Sequence, residues 1–111
     1  MPSYLLSYRT PTDYQSTADT RAAWNEFFQA ISTHLEDIGN PIFTRRTVGD
    51  TGTDTVLGGY TLVNADTLQQ ATELAASCPL SELGGGVEIG ELTPVSEMAA
   101  PSETRGQPTA A

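Results

Sequence analysis

The sequence predicts an α+β fold: a four-stranded antiparallel sheet with two helices on one face, in the order β-α-β-β-α-β. Three observations predict it. A strand-like run at Gly59-Tyr60-Thr61-Leu62-Val63 leads through Asn64-Ala65-Asp66 into a capped helix and, after a glycine turn, into a second alternating run from Val87 to Leu92. The first third of the chain repeats that grammar, with an alternating stretch followed by a long amphipathic helical pattern. The link between the two halves is short and polar, which suits adjacent antiparallel strands rather than another crossover.

Each element has its own reason. In Ser3 to Arg9, Tyr4, Leu6 and Tyr8 alternate with Leu5 and Ser7, a period of two. Thr10 to Thr20 holds Pro11 and polar residues and reads as a loop. Asp19 or Thr20 caps the expected first helix, which runs to about Ile38, because Trp24, Phe27, Phe28, Ile31, Leu35 and Ile38 follow helical spacing. Gly39 and Pro41 supply the stop. Ile42 to Val48 is then expected as the second strand and Gly49 to Val56 as a loop.

Asp66 is the expected cap of the second helix, with Gln69 completing a capping-box-like pair. Leu68, Ala71, Leu74, Ala75 and Cys78 form its apolar stripe, and Pro79 ends it. Gly84-Gly85-Gly86 provides the turn into the last strand. This is the ferredoxin-like arrangement, a single domain over residues 1–95. From Ser96 onward the composition turns to Ala, Pro, Ser, Glu, Thr and Gly, and a disordered tail is expected.

Composition narrows the partners. Fourteen acidic residues stand against five arginines and no lysine, a net charge of −9. Phosphate backbones and anionic membranes need clustered cations, so neither is expected as a partner. The N-terminal residues lack the basic stretch and apolar core of a signal peptide, and a cytoplasmic location is the expectation. One cysteine and one histidine leave no metal cluster and no intrachain disulfide, and no cofactor motif stands out. Gly84 to Gly86 precedes a strand rather than a helix and no lysine follows, so a phosphate loop is excluded on mechanism.

The strands are apolar on two sides. Leu5 opposes Tyr4, Leu6 and Tyr8 on the first, and Val63 opposes Tyr60 and Leu62 on the third. Two helices cover one face of such a sheet, and the other needs a cover as well. A second copy of the chain is the simplest, which predicts a homodimer of face-to-face sheets.

Several motifs resemble those of the YCII-related domain family, in the dimeric α+β barrel superfamily. They are Tyr4-Leu5-Leu6, Leu57-Gly58-Gly59-Tyr60, Asn64-Ala65-Asp66-Thr67-Leu68, Ala71, Leu74, Ala75, Cys78-Pro79 and Gly85-Gly86-Val87-Glu88-Ile89. The resemblance covers roughly Met1 to Val95. It implies a ferredoxin-like fold, a dimer whose two sheets form a barrel, and a cleft; most relatives have no assigned reaction, and a few distant barrel relatives are lyases or isomerases acting on small aromatic or lactone substrates. Two departures stand out. An Asp-Gly-Pro-Phe segment common among relatives is replaced by Asp50-Thr51-Gly52-Thr53-Asp54-Thr55-Val56, and Trp24-Asn25 lies where some relatives carry a histidine proposed to pair with an aspartate. That pair is not carried over.

The candidate chemistry follows from residue type. His34 is the only imidazole and the candidate proton shuttle; the simpler reading is a half-exposed histidine near a helix C-terminus. Arg9 and Arg45 are candidate carboxylate anchors, with Arg46 adjacent and pointing the other way from Arg45 on a strand; the simpler reading is surface pairing with acids. Tyr8, Tyr60 and Glu88 are candidate ligand contacts, against packing tyrosines and a solvated carboxylate. Cys78 reads as a small buried hydrophobe. Three functions stand: a dimer binding a small acidic or aromatic molecule in a cleft between helices and sheet or in the barrel, a lyase or isomerase using His34, and a non-catalytic interaction module.

Overall fold

The structure is a computed structural model and describes residues 1–99. The strands are β1 (Ser3–Pro11), β2 (Leu35–Pro41), β3 (Thr55–Asn64) and β4 (Gly86–Glu91), and the helices are α1 (Ala18–Ala30) and α2 (Leu68–Ala75). The sheet order is β2-β3-β1-β4, and every neighbouring pair is antiparallel. The ferredoxin-like βαββαβ arrangement therefore holds.

The core sits between the sheet and the helices. Tyr4, Leu6 and Tyr8 from β1 and Val63 from β3 meet Phe27 and Ile31 at α1 and Ala71 and Ala75 of α2. Burying each large apolar side chain is worth about 1.5–3 kcal/mol, so this layer is the main source of cohesion. Small residues on α2 let it lie close to the sheet, whereas α1 stands off on aromatic spacers. Trp24 meets Tyr8 edge-on with ring centroids 4.9 Å apart and stacks on Phe28 at 5.6 Å. Its indole N–H donates to the Tyr14 hydroxyl at 3.1 Å. Such aromatic contacts add roughly 0.5–1.5 kcal/mol each beyond area burial.

The helices start on threonines. Thr17 caps α1 through a reciprocal box with Thr20, and Thr67 caps α2, its hydroxyl accepting from the Gln70 N–H at 3.0 Å. Each cap lies one to three residues from the expected one, because a hydroxyl reaches the same orphan N–H groups as a carboxylate.

The larger correction concerns residues 31–48. The first helix ends at Ala30, not near Ile38, and Ser32–His34 forms a 3₁₀ turn leading directly into β2. Ile42 to Val48, expected as the second strand, instead belongs to the long connection between β2 and β3. Ser32 and Thr33 are weak helix formers, and Leu35 gains a cross-strand partner in Val63. Leu35 packs on the core, while Ile38 is 53% exposed. The helical spacing thus continued through Leu35 and Ile38 by coincidence.

Gly39 does have the left-handed backbone expected of it, with φ +79°, but inside a strand irregularity rather than at a helix end. A Cβ there would lie 1.8 Å from the Tyr60 carbonyl oxygen. Between Tyr8 and Arg9 the β1–β3 register slips by one residue, which Gly58 absorbs; its Cβ would lie 2.5 Å from the Thr10 methyl. Most of the expected tail, residues 100–111, lies outside the described residues, and Val95–Ala99 forms a 3₁₀ turn.

Candidate functional site

Strand pairing brings a polar row across the sheet face that carries no helix. Asn40 pairs with Tyr60, Tyr60 with Ser7, and Ser7 with Glu88, one residue from each of the four strands. Cross-strand partners share a face, so these four side chains lie side by side opposite the core layer. Toward one end the next row is Leu62, Leu5 and Gly90; toward the other it is Leu57, Arg9 and Gly86. The β3 half of this face is filled by Leu57, Tyr60 and Leu62. The β1–β4 half is hollow, because Ser7 is small and a Cβ at Gly86 or Gly90 would meet nothing within 4 Å.

Hydrogen bonds orient part of the row. The Asn40 amide donates to the Tyr60 hydroxyl at 3.0 Å, leaving the phenolic hydrogen free to donate outward. Arg9 lies diagonal to Glu88, at positions typically about 7–8 Å apart. Its guanidinium donates to the Thr55 hydroxyl at 3.2 Å and carbonyl at 2.9 Å, which fixes it at the rim. Glu88 is exposed, and among the described residues no donor engages it.

Three of the six expected site residues therefore meet on this face: Arg9, Tyr60 and Glu88. The other three do not join them. Tyr8 points into the core and is 5% exposed, its hydroxyl donating to Thr61 Oγ1 at 2.8 Å, and burial pushes its phenol well above the ordinary tyrosine range. Arg45 is not on a strand. It sits in the β2–β3 connection, where its guanidinium donates to the Leu57 carbonyl at 2.9 Å and the Ile42 carbonyl at 3.2 Å and holds the base of that segment. The alternation assumed for Arg45 and Arg46 does not apply there, because the segment is not pleated.

His34 is not on the helix but closes the 3₁₀ turn before β2. Its Nδ1 lies 3.0 Å from the Asn64 carbonyl oxygen. A carbonyl only accepts, so Nδ1 carries the hydrogen and Nε2 is the nitrogen left for outside chemistry.

Ser7 and Asn40 complete the row but were not among the expected contacts. Ser7 was visible in the alternation of the first strand only as sharing a face with Leu5. Asn40 had no such signal, since its strand was expected seven residues later. A groove of about 340 Å³ opens on the opposite side, between α1 and the turn after α2, and includes none of the six. Cys78 borders it, 2% exposed, with its thiol pushed up to about 11 by burial, partly offset by the Leu80 N–H. Among the described residues no three His, Cys, Asp or Glu side chains gather as a metal ion requires, and no helix is long and apolar enough to cross a membrane.

Residues 1–96 match the YCII-related domain. The chain belongs to this family. No curated protein matches it by sequence. Among solved structures, the YCII chain is similar to 5-chloro-2-hydroxyhydroquinone dehydrochlorinase from Burkholderia phenoliruptrix, in its complex with 2,5-dihydroxybenzoquinone. The TM-score is 0.55 at 18% identity, over 81% of this chain and 93% of that one. The likeness supports the same fold for this YCII member.

Proposed function

We propose that this YCII protein pairs with a second copy through its helix-free sheet face and binds a small hydroxylated or carboxylated aromatic molecule between the two sheets. The observation that carries the reading is the Asn40–Tyr60–Ser7–Glu88 row beside the hollow over Ser7, Gly86 and Gly90. Half-buried Leu5 and Leu62 next to that row need a cover that the helices do not provide. Two sheets pack about 10 Å apart, and hollows of small residues on both leave space for a planar ring. The Tyr60 hydroxyl, Ser7 hydroxyl and Glu88 carboxylate then offer donors and acceptors to ring substituents, and Arg9 offers a charge at the rim. The ligand of the similar dehydrochlorinase makes a dihydroxylated quinone a rational first probe.

Titration calorimetry with 2,5-dihydroxybenzoquinone and a panel of hydroxybenzoates tests the reading. Binding by the wild-type chain is expected, together with its loss in Ser7→Leu, which fills the hollow without touching the core. An absence of binding across the panel, or unchanged binding in Ser7→Leu, would overturn it.

A second reading makes the chain a lyase or isomerase with His34 as the proton shuttle. The observation behind it is the bond from Nδ1–H to the Asn64 carbonyl, which orients the ring and leaves Nε2 free of that contact. Turnover of a bound ligand that vanishes in His34→Gln while affinity persists would establish this activity.

A further inference from the structure

The apolar side chains that the strand register places on the open face are few: Leu5, Leu62, Leu57 and the ring of Tyr60, among Ser7, Glu88, Gly86 and Gly90. A specific dimer commonly buries about 800 Å² on each partner around an apolar centre. More contact must come from beside the sheet. The exposed candidate is the connection between β2 and β3, where Phe43 to Asp54 is exposed throughout, with Phe43 78% and Val48 95% exposed. Its base is held to β3 by the Ile42 N–H to Gly58 carbonyl bond at 3.0 Å and by Arg45 on the Leu57 carbonyl. Beyond Arg45 comes Arg46, an exposed cation in a chain of net charge −9.

We infer that this segment is an arm that embraces a second copy of the chain, laying Phe43 and Val48 against it and setting the Arg46 guanidinium beside the second copy's Glu88. The inference rests on the dimer reading above and extends it. The choice of Glu88 follows from the hydrogen bonds. On β2, Glu36 already accepts from the Ser3 hydroxyl and Asp37 from the Gly39 N–H, whereas Glu88 engages no donor among the described residues. Geometry agrees. The arm leaves the sheet where Pro41 ends β2 and Thr55 begins β3, and Arg9 opposite Gly86 marks the same end of β4. We take a two-fold axis parallel to the strands, which keeps that end in place, exchanges the two edges and lays the arm of one copy over the Gly86–Glu88 end of the other. The arm then closes one mouth of the space between the sheets and brings a cation to it.

The test is the dimer dissociation constant of the full chain, measured by sedimentation velocity at low ionic strength. Arg46→Glu, and separately Phe43→Ser with Val48→Ser, are expected to weaken the dimer at least about tenfold. Arg46→Glu combined with Glu88→Arg is expected to restore it to within about threefold. All four positions are exposed, and circular dichroism and melting of the monomeric fraction are expected to match the wild type. A wild-type chain that stays monomeric at micromolar concentration overturns both the dimer reading and the arm. A wild-type dimer that arm variants leave unchanged overturns the arm alone. A charge swap that does not restore pairing overturns Glu88 as the target, and with it the inference as stated.

Discussion

Tyr8 on β1 donates its phenolic hydrogen to Thr61 Oγ1 on β3 at 2.8 Å, and Thr61 passes its own to the Ile38 carbonyl on β2 at 2.8 Å. One buried relay thus ties three strands together. Its two members are not equivalent. Tyr8→Phe removes one bond but leaves Thr61 donating to Ile38, and a cost of about 1 kcal/mol is expected. Thr61→Val leaves the buried Tyr8 hydroxyl without its partner and the Ile38 carbonyl without its donor, so roughly 2–3 kcal/mol is expected. Urea unfolding of the two variants checks the order, and a larger loss in Tyr8→Phe would contradict it.

Alkaline pH should destabilise the fold through Cys78. Its thiol has an ordinary value of 9.0 and is held up to about 11 by burial. Between those values the unfolded chain has released the proton that the folded chain retains. The unfolded state then binds fewer protons, so stability is full below about pH 9 and falls as pH climbs toward 11. The loss amounts to roughly 2–3 kcal/mol for a shift of this size. The Tyr8 phenol, raised in the same direction by burial, adds to the fall at the upper end. Chemical denaturation from pH 8 to 11 should show this slope in the wild type and a shallower one in Cys78→Ala.

The ligand row makes a selective prediction among the charged and phenolic groups. Tyr60→Phe and Glu88→Gln should each lower affinity for a hydroxylated aromatic about tenfold, the cost of one hydrogen bond in a partly enclosed site. Arg45→Ala should lower affinity less than either, because its guanidinium is committed to the Leu57 and Ile42 carbonyls and lies outside the row. Calorimetry on the three variants separates the row from the connection, and equal losses in all three would count against the assignment.

His34→Ala should likewise leave ligand affinity unaltered, since the ring is tied to Asn64 rather than to the polar row. It should cost about 1 kcal/mol of stability through the lost bond. An affinity change without a stability change would move His34 into the binding site.

Gly39 tests the β2 geometry. Gly39→Ala demands a φ of +79° from a residue with a Cβ and places that carbon 1.8 Å from the Tyr60 carbonyl oxygen. Roughly 3 kcal/mol or more of destabilisation is expected. Thermal melting reads it directly, and a neutral result would contradict the β2–β3 register at Tyr60.

Most of the fold was legible in the chain because its strongest signals are local. Alternation in Tyr4 to Tyr8 sorted residues between the two faces before any contact was known, and the same held for Tyr60, Leu62 and Val63. The family motifs around Leu57-Gly58-Gly59-Tyr60 and Gly85-Gly86-Val87 agree with the match over residues 1–96. The candidate site was half legible. Arg9, Tyr60 and Glu88 lie on the helix-free face because pleat parity follows from sequence spacing alone. Asn40 was hidden because the strand carrying it was expected seven residues later.

The failure around Leu35 and Ile38 shows where local information stops. Six apolar residues at helical spacing were compatible with one long helix, and nothing within that stretch marked Leu35 as a strand residue. Its pairing with Val63, twenty-eight positions away, decided the matter. The sequence alone determined which side chains alternate and what net charge the chain carries, since those depend on near neighbours and composition. Only the tertiary structure decided where α1 ends, which edge receives β2 and which polar groups line up across four strands, because these depend on contacts between residues far apart in the chain.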